Sequence, residues 1–140
     1  MPINPNLPLS QINAYSHNTL LEQLGIEVTG ITEKSITGTM PVDKRTHQPA
    51  GLLHGGASAA LIESLASIGS SLIVDMNKFA IVGVEVNANH IRGVRTGIVT
   101  GTAEIVHEGK KTHVWQVNIH NEHQQLACTG RLTVVIIDKT

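Results

Sequence analysis

The stretch Gln48-Pro49-Ala50-Gly51-Leu52-Leu53-His54-Gly55-Gly56 stands directly ahead of a long apolar segment, and its residue types suit work on a carbonyl group. If that segment is a helix, its first turn offers N–H groups without a helical partner and a partial positive charge. Gly55 and Gly56 have no side chain to keep a ligand from those donors. Such a place can hold a carbonyl oxygen that becomes negative in a transition state. Gln48 adds an amide donor able to polarise the same carbonyl. Glu63 follows about two turns into the segment, and Ser67 shares its helical face at i, i+4. A carboxylate in poorly solvated surroundings can act as a base or a nucleophile. Each feature alone has a structural reading: glycines cap and pack, a histidine caps, and a buried glutamate is held by a hydrogen bond. Their convergence on one helix end and one stripe points to chemistry.

Other side chains suit other tasks. Arg92 follows Asn89-His90, and Lys110 and Lys111 sit beside Gly109 in a short break between strands. These cations suit the phosphates of a nucleotide, although a lysine pair in a turn is equally a solvated feature. His120 and His123 are spaced His-x-x-His, with His107 and His113 nearby. His113 and His120 are an odd number of residues apart, so on one strand they face opposite ways. No cysteine or acidic cluster completes a set, and no metal or cofactor is expected. Cys128 reads as a small apolar strand residue.

The scaffold is legible in outline. A chain of 140 residues suits one domain, 1–140. With 41% hydrophobic and 15% charged residues its composition is globular. Ten Lys+Arg against 11 Asp+Glu argue against a nucleic-acid or acidic-membrane footprint. One Phe, one Tyr and one Trp are too few for a base-stacking platform, so the core must be Ile, Val, Leu and Ala. The lone Cys128 allows no intrachain disulfide. The opening residues carry no secretory pattern, and no run approaches ~18 consecutive apolar residues, so a cytoplasmic protein away from membranes is expected.

Residues 1–8 read as an irregular arm. Residues 10–24 read as a helix with Ser10 as N-cap and Gly25 as stop. From Ile26 to Val42 the pattern is strand, and 43–53 is a polar loop. The segment from His54 to Val74 holds a single charge, Glu63. On a helix, Ala57, Leu61, Leu65, Ile68 and Leu72 fall within about 80°, while Gly56, Ala59, Glu63, Ser67 and Ser70 lie nearly opposite. A solvent face would carry more charge, so this helix is expected to be covered on every side. Strands follow at 80–92, 97–108, 112–120 and 126–137, with gaps short enough for hairpins and an antiparallel sheet. The expected class is α+β, a sheet wrapped around one long central helix.

The motif Gln48-Pro49-x-Gly51-x-x-His54-Gly55-Gly56 with Glu63, together with Val84-Glu85-Val86-Asn87-Ala88-Asn89-His90-Ile91-Arg92, resembles the hotdog-fold acyl-CoA thioesterases. The resemblance covers roughly residues 20–138. It is closest to the 1,4-dihydroxy-2-naphthoyl-CoA, 4-hydroxybenzoyl-CoA and phenylacetyl-CoA thioesterase branch. It implies a hotdog dimer, paired again into a tetramer, with active sites at the dimer interface and an acyl-CoA substrate. Glu63 of one subunit would face Gln48, His54 and Gly55 of the other and attack the thioester carbonyl or activate water. The Gly55 N–H would hold the oxyanion, Gln48 and His54 would polarise the thioester, and Ser67 would position the water or the carboxylate. Gly56, Asn89, His90, Arg92, Lys110 and Lys111 are the candidates for holding substrate and coenzyme A. The competing readings are a non-catalytic acyl-thioester binder and another hotdog reaction such as dehydration.

Overall fold

Apolar and polar residues alternate through Ser35–Val42, and in the computed structural model, which describes residues 2–140, burial alternates with them: Ile36, Gly38, Met40 and Val42 are inside. The same period shapes Thr112–His120, where His113, Trp115, Val117 and Ile119 are buried. The elements are α1 (Leu9–Ala14), α2 (Leu20–Leu24), β1 (Glu27–Ile31), β2 (Ser35–Val42), α3 (Gly55–Ile73), β3 (Phe79–His90), β4 (Gly97–Glu108), β5 (Thr112–His120) and β6 (Leu126–Asp138). The six strands form one antiparallel sheet in the order β1-β2-β4-β5-β6-β3. Helix α3 packs on β2, β3, β4, β5 and β6, giving the expected α+β arrangement. By length and composition alone α3 could cross a membrane, but its apolar side is the core of this sheet.

Glycines set how closely α3 approaches. Gly38 and Gly101 are paired across β2 and β4. A Cβ at Gly38 would come within 2.6 Å of Leu65, and one at Gly101 within 2.9 Å of Leu65 and 3.2 Å of Leu61. Both leucines are fully buried there. On the helix side, a Cβ at Gly69 would meet the Trp115 ring at 2.5 Å. Next to it Ser70 joins helix to sheet: Trp115 Nε1 donates to Ser70 Oγ at 2.8 Å, and Ser70 Oγ lies 2.9 Å from His113 Nδ1. All three residues are buried, so the serine–histidine pair is structural and out of reach of a substrate.

The structure corrects several expectations. The stretch 10–24 is two short helices, because Tyr15–Thr19 turns: Asn18 adopts φ 59° and its N–H donates to the Glu22 carboxylate. Pro8 is the N-cap, not Ser10, whereas Gly25 ends α2 with φ 72°. The stretch 26–42 is a hairpin, turned at Thr32 by its Oγ1 accepting from the N–H groups of Lys34 and Ser35. Residues 2–8 are irregular but tied down: Ile3 is fully buried and donates its N–H to Glu33 O at 2.9 Å. Strand β3 does not pair with β4. Residues 91–96 carry the chain across three strand spacings, about 14 Å, which an extended segment of that length spans. Nor is α3 covered all round, since Gly56 is exposed and Ala59, Glu63 and Ser67 are only half-buried.

Burial pushes the His113 imidazole below its ordinary value of 6.5. Below about pH 6.5 the unfolded chain therefore takes up a proton that the folded chain refuses, and stability falls as pH drops toward the folded value. The melting temperature should decline on mild acidification, and His113→Gln should flatten that decline. Ser70→Ala, which strands two buried partners, should cost about 1–3 kcal/mol for each in denaturant unfolding.

Candidate active site

Helix α3 starts where the loop 43–53 meets the 91–96 crossing. Leu53 N–H donates to Val94 O at 2.8 Å, His54 N–H to Thr46 O at 2.7 Å, and a His47 ring nitrogen lies 2.8 Å from Arg95 O. His54 is the N-cap, its Nδ1 accepting the Gly56 N–H at 2.7 Å. That bond places the ring proton on Nε2, which remains a donor on an exposed imidazole. It also occupies the Gly56 N–H. The Gly55 N–H has no protein acceptor among the described residues, so it is the free donor at the positive end of α3.

The Gln48 side chain is fixed as well. Its Oε1 accepts the Ala50 N–H, and Gly51, at φ 81°, closes the turn by donating to Gln48 O at 2.9 Å. With its oxygen engaged, the amide keeps its NH2 for a ligand. A cleft of about 230 Å³ opens here, lined by Gln48, Gly55, Ser58, His90, Arg92 and Ala127 among others. His90 Nε2 lies 2.8 Å from where a Gly55 Cβ would sit, so the glycine makes room for the ring.

Glu63 is elsewhere. Eight residues along α3 place it about 12 Å from Gly55. Its carboxyl faces β3 at Gly83, where a Cβ would collide with Oε1. Glu63 is half-buried and has no hydrogen bond or ion pair to another described residue, and burial raises its pKa above the ordinary 4.5. Ser67, also half-buried, lies one turn on.

The structure thus gathers Gln48, Gly55, His90 and Arg92, with His54 and Gly56 at the same helix start, and keeps Glu63 and Ser67 apart from them in one chain. Asn89 lies on the outer face of β3, 3.5 Å from Thr129 O, away from the cleft. Lys110 lines a hollow with Ile73, Phe79 and His113, and Lys111 is its neighbour in the turn. That hollow is at the C-terminal end of α3, opposite Arg92, so one protomer does not bring these cations together. A cavity of about 530 Å³, larger than the cleft, is remote from it and lies between α1, α2 and the far half of α3. Its lining includes Ile68 and Leu72, and Ser71 one turn beyond Ser67. Cys128 is buried and its thiol is pushed up by burial, the state of an unreactive cysteine. Among the described residues no three potential metal ligands come together.

Sequence reasoning missed Gly83. It is seven residues before His90, so simple alternation would point the two to opposite faces. Strand β3 carries a bulge between Gly83 and Glu85, and Gly83 and His90 pair with Val134 and Cys128, both buried on the helix side. The Gly in an otherwise apolar strand was the available signal.

The sequence profile of the thioesterase superfamily matches residues 50–128. A proofreading thioesterase, EntH, of Cronobacter turicensis is 42% identical over 132 residues, 94% of this chain and 96% of that protein. The 1,4-dihydroxy-2-naphthoyl-CoA hydrolase of Escherichia coli is 40% identical over 131 residues, 94% and 96% of the two chains. A crystal structure of a mutant thioesterase from Pseudomonas aeruginosa superposes with a TM-score of 0.96 at 43% identity, covering 99% of this chain and 100% of that one.

His54→Ala removes a helix cap and should lower stability by about 1 kcal/mol in denaturant unfolding. Gly55→Ala should instead displace the His90 ring, visible as a changed His90 imidazole resonance with the fold intact.

Proposed function

The chain belongs to the thioesterase superfamily, with its hotdog fold and thioester hydrolysis, and from that premise we propose that it cleaves an acyl-CoA to a free acid and coenzyme A at a site shared by two subunits. The observation that carries this reading is Glu63: a half-buried carboxylate with no partner among the described residues, on an uncovered stripe of the helix whose first N–H is free. Ionised Glu63 takes a proton from the water that adds to the thioester carbonyl carbon, or adds to that carbon itself, in which case water afterwards hydrolyses the acyl–Glu63 anhydride to release the acid. The negative oxygen is held by the Gly55 N–H, where one such donor is worth about 3 kcal/mol. The Gln48 amide and the His54 Nε2–H polarise the carbonyl, Ser67 orients the water or the carboxylate, and the thiolate of coenzyme A leaves. The cavity beyond Ser67 offers room for an apolar acyl group.

One chain holds Glu63 some 12 Å from its own Gly55, and β3 supports a second subunit as the remedy. It is an edge strand, and Val82, Val84 and Val86 on it are exposed, Val84 by 56%. Such an edge calls for cover. Two copies of β3 paired antiparallel about Asn87, each bulge absorbing one residue, would set Gly83 opposite the partner strand's residue 90. Glu63 would then face the partner's cleft. The same inversion turns the partner's lysine turn toward this chain's Arg92, Gly56 and His90, while Asn89 lies at the joint. A dimer of dimers in the cytoplasm, without nucleic acid or membrane, completes the proposal.

Hydrolysis of benzoyl-, phenylacetyl-, short-chain and long-chain acyl-CoA, followed by thiol release, tests the substrate class. Glu63→Gln should lower kcat by orders of magnitude with KM largely kept, and retained turnover would refute the role of Glu63. Because the reacting form is the ionised one and burial raises its pKa, kcat should fall with decreasing pH along a limb centred above 4.5. Co-expression of Glu63→Ala and Gln48→Ala chains should restore about a quarter of wild-type activity, the statistical yield of one intact site per mixed dimer. No restoration would place the site within one chain.

A further inference from the structure

We propose that Gly83, with the bulge that follows it in β3, is the residue that positions the Glu63 carboxylate for hydrolysis. A Cβ at position 83 would collide with Glu63 Oε1 and lie 3.1 Å from Cδ and 3.2 Å from Oε2. All three of its nearest neighbours belong to that one carboxyl group. The φ of Gly83 is outside the left-handed region, so the backbone does not ask for glycine there. Within one protomer the strand is exposed at this point, so the core of the protomer does not ask for it either. The space left by the missing side chain is where the carboxylate sits. The bulge is the second part of the arrangement. Without it, Gly83 and His90 could not both face α3, and the strand could not meet Glu63 and the helix start together. Gly83 touches no reacting atom of the substrate in this scheme; it acts through Glu63.

The inference rests on the reading of Glu63 as the catalytic carboxylate. Gly83→Ala should leave the fold and KM unchanged and lower kcat by about 10²-fold, the scale of a 1 Å misplacement. A side chain at 83 changes the position and hydration of the carboxylate, so the acid limb of the kcat profile should also shift, which a loss of folded protein would not do. Unchanged kcat and acid limb in Gly83→Ala, with Glu63→Gln inactive, would overturn the role of Gly83 and leave that of Glu63 standing. Full activity of Glu63→Gln would refute both. A stability comparison covers the case in which Gly83→Ala is poorly folded. In a Glu63→Ala background the colliding atoms are gone, and adding Gly83→Ala should cost no melting temperature. An equal loss in both backgrounds would assign glycine a purely structural role and overturn the inference.

Discussion

The approach of α3 to its sheet is the constraint on which the rest depends. A helix with one charge in its length must lay its apolar side on the strands. It reaches them because Gly38 and Gly101 leave a hollow for Leu61 and Leu65, and because Gly69 lets the Trp115 ring lie against the helix. The chain has one Phe, one Tyr and one Trp, and of these Trp115 alone is in the core, so aliphatic side chains must fill the space, and close backbone approach reduces the space to be filled. The Trp115–Ser70–His113 chain then ties the rotation of the helix to β5. Rotation matters because it decides which stripe faces away from the sheet centre, and that stripe carries Glu63 and Ser67.

The same closeness accounts for the state of Glu63. A carboxylate at the rim of an apolar layer loses part of its hydration, and Glu63 gains no ion pair from another described residue in return. Its raised pKa is a destabilising feature at neutral pH, since the folded form favours the proton that neutral solution removes. A purely structural position would have a hydrogen-bond partner or an apolar residue there. Gly83 is the matching feature on the sheet, a strand residue whose absent side chain is filled by a carboxyl group.

What could be read from the sequence was local. The central helix was legible within one residue at each end, since 3.6-residue periodicity and the Gly-Gly start are properties of a short window. Strands β4 and β5 were legible to the residue for the same reason. The break at Tyr15–Thr19 escaped because Ile12, Leu20, Leu21 and Leu24 continue a helical pattern across it, while Asn18 bends the backbone between them. The Thr32 turn escaped because a threonine side chain, not glycine or proline, closes it. Sheet order escaped because short gaps suggest neighbours, whereas 91–96 crosses over the start of α3 to do a second task. Within the candidate site, Gln48, His54 and Gly55 form one contiguous motif and so were visible. Gly83 was not, because its meaning depends on a side chain 20 positions away and on a bulge that alternation cannot foresee.

Geometry, not composition, argues for a site divided between chains. A donor at the first turn of a helix and a carboxylate two turns along it are held apart by the rise of the helix itself, and no side-chain rotation closes 12 Å. Bending α3 would undo the contacts of Leu61 and Leu65 that hold the core. The remaining way to bring a carboxylate to a free helix N–H is to take the two from different copies, related so that one helix start meets the middle of the other. The proposed antiparallel pairing of the β3 edge would supply that relation, cover the exposed valines at the same time, and leave each protomer's core undisturbed. In the proposed dimer, fold stability and catalytic geometry would be met by different surfaces: the sheet holds α3 in place, and a second subunit would bring the chemistry together.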